Sequence, residues 1–141
     1  MELTIGNDPA NITIVRDALD LFGAEHRLSS KMLYELQVVL DEIVSNIIKY
    51  AWPQGGTHQF LVRLDLERTA SGSHVVMEVI DDGQPYDPGM APRPVPFTAG
   101  RRPRPGGVGL HMVKQLVHTF EYDRVSGHNR VKLTKRCNID R

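Results

Sequence analysis

The segment "SSKMLYELQVVLDEIVSNIIKYAW", Ser29 to Trp52, constrains the fold more than any other. Leu36, Leu40, Ile43, Ile47 and Ala51 recur at steps of three and four, so they form one apolar stripe along a helix. Such a stripe must be buried against another layer of structure. Beside it runs a polar stripe of Glu35, Glu42, Asn46 and Lys49. Glu42 and Asn46 stand one helical turn apart and meet on one face. Asn is a poor helix-interior residue because its amide competes with the backbone for hydrogen bonds. Ile43, Val44, Ile47 and Ile48 surround the pair. A solvated face explains a polar stripe, and so does a site built into an apolar neighbourhood; these residues alone leave both readings open. Ser29 or Ser30 is placed to cap the helix, and Pro53 with Gly55 and Gly56 ends the region.

The remaining elements supply the other layer. "LTI" near Leu3 reads as a short strand. "NDPANITIVRDALDLFGAEH" reads as a first helix, with Asn7 and Asp8 as caps, Pro9 at its start, and Ile14, Ala18, Leu21 and Phe22 as its apolar positions. "HQFLVRLDLER" alternates apolar and polar residues, as a half-buried strand does. After the turn "ASGSH", "VVMEVID" is almost continuously apolar, which predicts a central strand. Gly83 to Gly107 is a long stretch rich in proline and glycine, and loops of that length are usually functional or disordered. "VGLHMVKQLVHTF" predicts a helix with Leu110, Val113, Leu116 and Val117 on one face. "FEYDRV" and "NRVKLTKR" read as two final strands joined by "SGHN". The order predicts an α+β sandwich, with helices on one face of a mixed sheet, and a single domain over residues 1–141.

Composition narrows the function. The formal net charge is zero, which argues against a general nucleic-acid binder. A single cysteine, Cys137, cannot staple the fold, and it suits a reducing compartment as an ordinary strand residue. "MELTIGNDPA" turns polar too soon for a secretory signal, and no apolar run is long enough to span a bilayer. The expectation is a soluble, cytoplasmic protein with no membrane and no direct nucleic-acid partner.

Two further segments carry chemistry. In "VIDDGQPYDP", Asp81 follows an apolar strand and Gly83 lies two residues on. A carboxylate there can accept from an amine such as the exocyclic amino group of adenine, and a glycine beside it lets a flat ring approach; a simple Asp-Gly turn is the plainer reading. In "RRPRPGGVGLHMVKQL", Gly106, Gly107 and Gly109 lead into a helix, whose free N–H groups can hold phosphate oxygens. The dinucleotide fingerprint fits poorly, since Met112 stands at its third glycine. There is no Walker segment and no eukaryotic-type kinase set of His-Arg-Asp and Asp-Phe-Gly.

Taken in order, Glu-x-x-x-Asn on a helix, Asp-x-Gly after a strand and a long loop into Gly-x-Gly at a helix start resemble the GHKL ATPase superfamily. "LDEIVSNIIKYAW", "VIDDGQPYDP" and "GGVGLHMVKQL" are most similar to bacterial anti-sigma factor serine kinases. The resemblance runs from the first strand to "VKLTK". It implies a Bergerat-type two-layer α/β sandwich with a mixed, mostly antiparallel sheet and ATP between helices and sheet. It also implies roles: Asn46 as the Mg²⁺ ligand, Glu42 as the general base, Asp81 reading adenine, and Gly83 giving the ring room. Lys49 would lie near the nucleotide, where many relatives have histidine or arginine. Gly106, Gly107, Val108, Gly109 and Leu110 would shape the phosphate end. Pro88 to Pro105 would form a proline-rich lid, with Arg101, Arg102 and Arg104 either meeting phosphate or simply solvated. Asp41 is expected to be a solvated neighbour, and Thr134 an ordinary strand residue or a water-mediated adenine contact.

The activity so implied is an ATP-dependent serine/threonine protein kinase that regulates as an anti-sigma factor. Its partners would be a sigma factor, a small antagonist whose serine is phosphorylated, and a second copy in a homodimer. A nucleotide-dependent binding module without kinase activity is the alternative. A histidine kinase fragment fits less well, because His26 lacks the context of a phosphoacceptor.

Overall fold

The computed structural model describes residues 1–85 and 107–137. The elements run β1 (Glu2–Gly6), a 3-10 turn (Pro9–Asn11), α1 (Ile12–Glu25), α2 (Ser30–Tyr50), β2 (Gln59–Thr69), β3 (Gly72–Asp81), α3 (Gly107–Leu116), β4 (Thr119–Val125) and β5 (His128–Cys137). Five strands form one sheet in the order β1-β2-β3-β5-β4.

Every pairing between described strands is antiparallel, which corrects the expectation of a mixed sheet. The physical reason is the place of β5. β3, α3 and β4 form a crossover unit, so β4 runs parallel to β3. The tight hairpin β4–β5 then folds β5 back between the two, and each pairs with β5 instead of with the other. The hairpin turn is Ser126-Gly127, both with positive φ (53° and 78°), as a two-residue turn between twisted strands requires.

Val62, Val79 and Val131 form one row on the buried face of the sheet, and Leu64, Met77 and Leu133 form the next. The apolar stripe of α2 packs on them; Leu36, Leu40, Ile43, Ile47 and Ala51 are all buried in the same core. The opposite face carries ion pairs of Arg63 with Glu2 and of Arg130 with Glu78 and Asp123. The two-layer α+β sandwich is therefore as expected, with β3 central.

Local details differ from expectation in three places. The buried face of α1 is Val15, Ala18, Leu19 and Phe22, while Ile14 and Leu21 are exposed. Ala18 and Phe22 stand as expected, while Val15 and Leu19 take the places expected of Ile14 and Leu21. α3 stops at Leu116, and Thr119 already belongs to β4, so "HTF" is not helical. Asp41 is not merely solvated: Arg16 donates to both its oxygens and ties α1 to α2. Thr134 fits the expectation of an ordinary strand residue: it bonds the hydroxyl of Thr119 across the hairpin, well away from Asp81. The proposed lid, 88–105 with its three arginines, and Gly106 lie outside the described residues.

Candidate functional site

α2 starts at Ser29, whose hydroxyl accepts from the Met32 N–H at 3.1 Å and satisfies one orphan donor of the first turn. The helix carries Glu42 and Asn46 on the side next to α3. Asn46 is only 2% exposed, although it is polar and mid-helix. Its Nδ2 donates to Glu42 Oε1 at 3.1 Å. Among the described residues no hydrogen bond falls on Asn46 Oδ1, and no buried side-chain oxygen lacks a partner, so that oxygen opens to solvent.

α3 is fixed against α2 by Leu110 and Val113, both buried in the core. Leu110 is therefore a packing residue in this structure. Its burial brings the first turn of α3 onto Glu42. A β-carbon placed on Gly109 would collide with the Glu42 carboxylate, so only glycine fits there without displacement. Residues from two distant segments, Glu42 with its partner Asn46 and Gly109, thus meet at the first turn of α3. Lys49, one turn beyond Asn46 along α2, is exposed. Nothing is described of the Val108 side chain.

The other end of the site lies where β3 runs out. Asp81 is 5% exposed. Its Oδ1 accepts from the Gly83 N–H at 2.9 Å and from Asn129 Nδ2 at 3.0 Å. Burial pushes the Asp81 carboxyl above the usual carboxylate range; the Asn129 and Gly83 hydrogen bonds oppose this, neighbouring Asp82 adds to it, and Arg124 opposes it. Gly83 lies against the end of α2. A β-carbon there would sit 2.6 Å from Ala51 Cβ and 2.8 Å from its carbonyl carbon. The glycine is needed by that close approach, whatever else it admits. The Gln84 N–H donates to the Ala51 carbonyl and its side chain to the Tyr50 carbonyl, both at 2.7 Å. Trp52 Nε1 donates to Asp82 Oδ1 at 3.1 Å. The loop after β3 thus satisfies carbonyls that the end of α2 leaves open.

Asn129 was missed in the sequence. It is 3% exposed and makes four hydrogen bonds, to Asp81, Gln84, Tyr122 and Arg124. The signal was present: counting back by two from Leu133 and Val131 puts Asn129 on the buried face of β5. A polar residue at such a position needs partners.

A shallow depression of about 270 Å³ lies along Thr4, Leu61, Ile80 and His128, and Asp81 and Asp82 also line it. Thr4, Leu61 and Ile80 form one row that alternates with the core rows, so their side chains point away from the helices, and Glu42 and Asn46 do not border the depression.

Helices layered on one face of an antiparallel sheet carry a half-buried Glu bonded to a buried Asn on the middle helix, with a buried Asp at the end of the central strand. The chain belongs to the histidine kinase-like ATPase domain family, whose profile matches residues 5–135. It is 31% identical over 127 residues to the serine/threonine-protein kinase BtrW of Bordetella bronchiseptica, a match that covers 86% of this chain and 85% of that protein. Its fold is similar to a crystal structure of the RsbU and RsbW domains of a Mycobacterium tuberculosis protein, with a TM-score of 0.64 at 19% identity over 97% of this chain. The chain spans about a third of that larger protein, 32% of its length. Among the described residues no helix is long and apolar enough to cross a membrane.

Proposed function

We propose that this chain is an ATP-dependent serine/threonine protein kinase of the anti-sigma factor type. One observation carries the reading: the Glu42 carboxylate, hydrogen-bonded by buried Asn46, lies at the first turn of α3. Anionic phosphate is favoured at a helix N-terminus, and a carboxylate beside it is placed to act as a base. From Glu42 to Ala51 the helix rises about 13 Å, the reach of an extended nucleoside triphosphate. Phosphates at α3 then leave the base beside Asp81.

In this reading Glu42 takes the proton from a serine hydroxyl as its oxygen attacks the γ-phosphorus. The new P–O bond forms while the bond to the β-phosphate oxygen breaks, and ADP leaves with the electron pair. Asn46 does two things: its Nδ2 holds Glu42, and its Oδ1 is the hard oxygen suited to Mg²⁺. Among the described residues no cluster of His, Cys, Asp or Glu forms a metal site of its own. A cation held here would share phosphate and water oxygens, as Mg²⁺ normally does, and would offset phosphate charge. Asp81 accepts from the adenine amino group. Lys49 stands on the solvent side of the same stripe.

The same reading carries the protein partners: a sigma factor that is sequestered, a small antagonist whose serine receives the phosphate, and a second copy of the chain. The named kinase relative and the motif order support it. The test is calorimetric ATP binding with phosphate transfer to a candidate antagonist, for the native chain and Glu42→Gln. Binding should persist in the variant while transfer falls by about 10²- to 10⁴-fold. Undiminished transfer would remove Glu42 from the role of base, and a native chain that binds no ATP would overturn the kinase reading. One observation favours a binding module without transfer: the first turn of α3 is seated on Glu42, where an incoming hydroxyl would have to stand. That reading predicts ATP binding with no transfer by the native chain.

A further inference from the structure

Asn129 sits on the buried face of β5, directly opposite Asp81 in the β3–β5 register. Its orientation is dictated. Arg124 Nη1 donates to one amide atom at 2.9 Å and the Tyr122 hydroxyl donates to the same atom at 2.7 Å. A guanidinium can only donate, so that atom is the oxygen. Nδ2 must then face the other way, toward Asp81 Oδ1 at 3.0 Å and the Gln84 carbonyl at 2.8 Å. Both amide protons and both oxygen lone pairs are used. Arg124 also donates to the Gly83 carbonyl at 3.0 Å, so the loop after Asp81 is tied into the same network.

The consequence falls on Asp81. Both of its hydrogen bonds land on Oδ1. Among the described residues none falls on Oδ2, and no buried side-chain oxygen lacks a partner, so Oδ2 opens to solvent as an acceptor. We propose that Asn129 is a specificity-determining positioning residue: locked in one amide sense by Tyr122 and Arg124, it engages Oδ1 and leaves Oδ2 to accept from the 6-amino group of a purine nucleotide, selecting it over a 6-oxo purine. This rests on the ATP-binding reading above. A 6-oxo group presents an acceptor to the carboxylate acceptor, which is repulsive, and such unpaired polar contacts discriminate strongly. Among the described residues the charged neighbours of Asp81 are Asp82 beside it and Arg124 from β4, and the α2 residue packed on its loop, Ala51, is uncharged.

The test measures the affinities of ATP and inosine triphosphate for the native chain, Asn129→Asp and Tyr122→Phe, across the acidic to neutral pH range. The aspartate is isosteric but cannot donate to Asp81, and the two carboxyls compete for one proton. The ATP-over-inosine preference should fall by about 10- to 100-fold in Asn129→Asp, and ATP binding should weaken at a higher pH than in the native chain. Tyr122→Phe removes a single donor to the amide oxygen and should lose about threefold or more of the preference; it decides the question if Asn129→Asp does not fold. An unchanged preference in a folded variant, or an equal loss for both nucleotides with no shift of the pH profile, would overturn the proposal and leave ATP binding standing. A native chain that binds neither nucleotide would overturn both.

Discussion

Gly109 and Glu42 are neighbours in the strictest sense: the place where a β-carbon would stand on Gly109 is occupied by the carboxylate of Glu42. The obstacle is the far end of a flexible side chain, so it can swing aside. Gly109→Ala should therefore fold. The helix gains propensity while Glu42 loses its seat, and the change in stability should stay within about 1 kcal/mol. Phosphate transfer should fall much further, by about 10²-fold or more, because the base is displaced. Urea denaturation beside a transfer assay separates the two effects. Intact transfer in a folded Gly109→Ala protein would mean that the observed contact is not the working position of Glu42.

Gly83 makes the opposite case. Its missing side chain is replaced by the backbone of Ala51, with the carbonyl carbon 2.8 Å from the β-carbon position. A carbonyl at the end of a packed helix cannot rotate away, and the bond from the Gln84 N–H to it would be strained as well. Gly83→Ala should destabilise the protein by about 2–3 kcal/mol. Loosening this loop should also alter Trp52, whose indole bonds Asp82, so its fluorescence should shift before global unfolding. A substitution that leaves both the denaturation midpoint and the Trp52 emission unchanged would show that the loop can move away from Ala51.

Asp81 links pH to stability with a definite sign. Its carboxyl titrates above the usual range chiefly because it is buried. The folded state thus holds the proton more tightly than the unfolded state, and stability falls as pH rises from the unfolded value through the folded one. Asp81→Asn removes the charge but keeps an oxygen for the Gly83 and Asn129 donors. The variant should match the native chain in acid and be more stable than it at neutral pH, while losing ATP affinity. Denaturation midpoints at both ends of that window measure the crossover. A variant less stable at neutral pH would mean that the charge is stabilised by more than the donors seen here.

Much of this arrangement was legible in the chain because it follows from periodicity. The stripes of α2 predict which side is buried and put Glu42 beside Asn46 without any tertiary information. The alternation of β2 and the unbroken apolar run of β3 predict their places. What periodicity cannot show is which distant segments meet. That Gly109 lies on Glu42, and that Gly83 lies on Ala51, depends on the depth at which Leu110 and the core rows settle. The strand order was hidden for the same reason, since the chain does not announce that β5 will insert between β3 and β4. Asn129 and Lys135 were legible in principle: each is a polar residue on the buried face of β5, in step with Val131 and Leu133. Reading that face as merely apolar concealed both.

Lys135 provides the last test. Its Nζ lies 2.5 Å from Glu35 Oε2 on α2 and donates to the Leu116 carbonyl at the end of α3. The side chains are only 12% and 17% exposed, so one ammonium joins the sheet to two helices in a largely desolvated setting. Removing one member of such a pair strands the other charge. Lys31, 3.8 Å from the other oxygen of Glu35, compensates in part because it is itself well exposed. Lys135→Met should therefore cost about 2–3 kcal/mol, below the range for a fully buried pair. Adding Glu35→Gln should restore about 1 kcal/mol or more, since no unpaired charge is then left. The native midpoint should shift little with added salt, because a shielded pair is screened less than a surface one. Denaturation of the two single variants and the double variant gives the coupling directly. Additive losses would show that Lys135 acts through its bond to Leu116 alone, and that Glu35 belongs to the solvated end of the polar stripe.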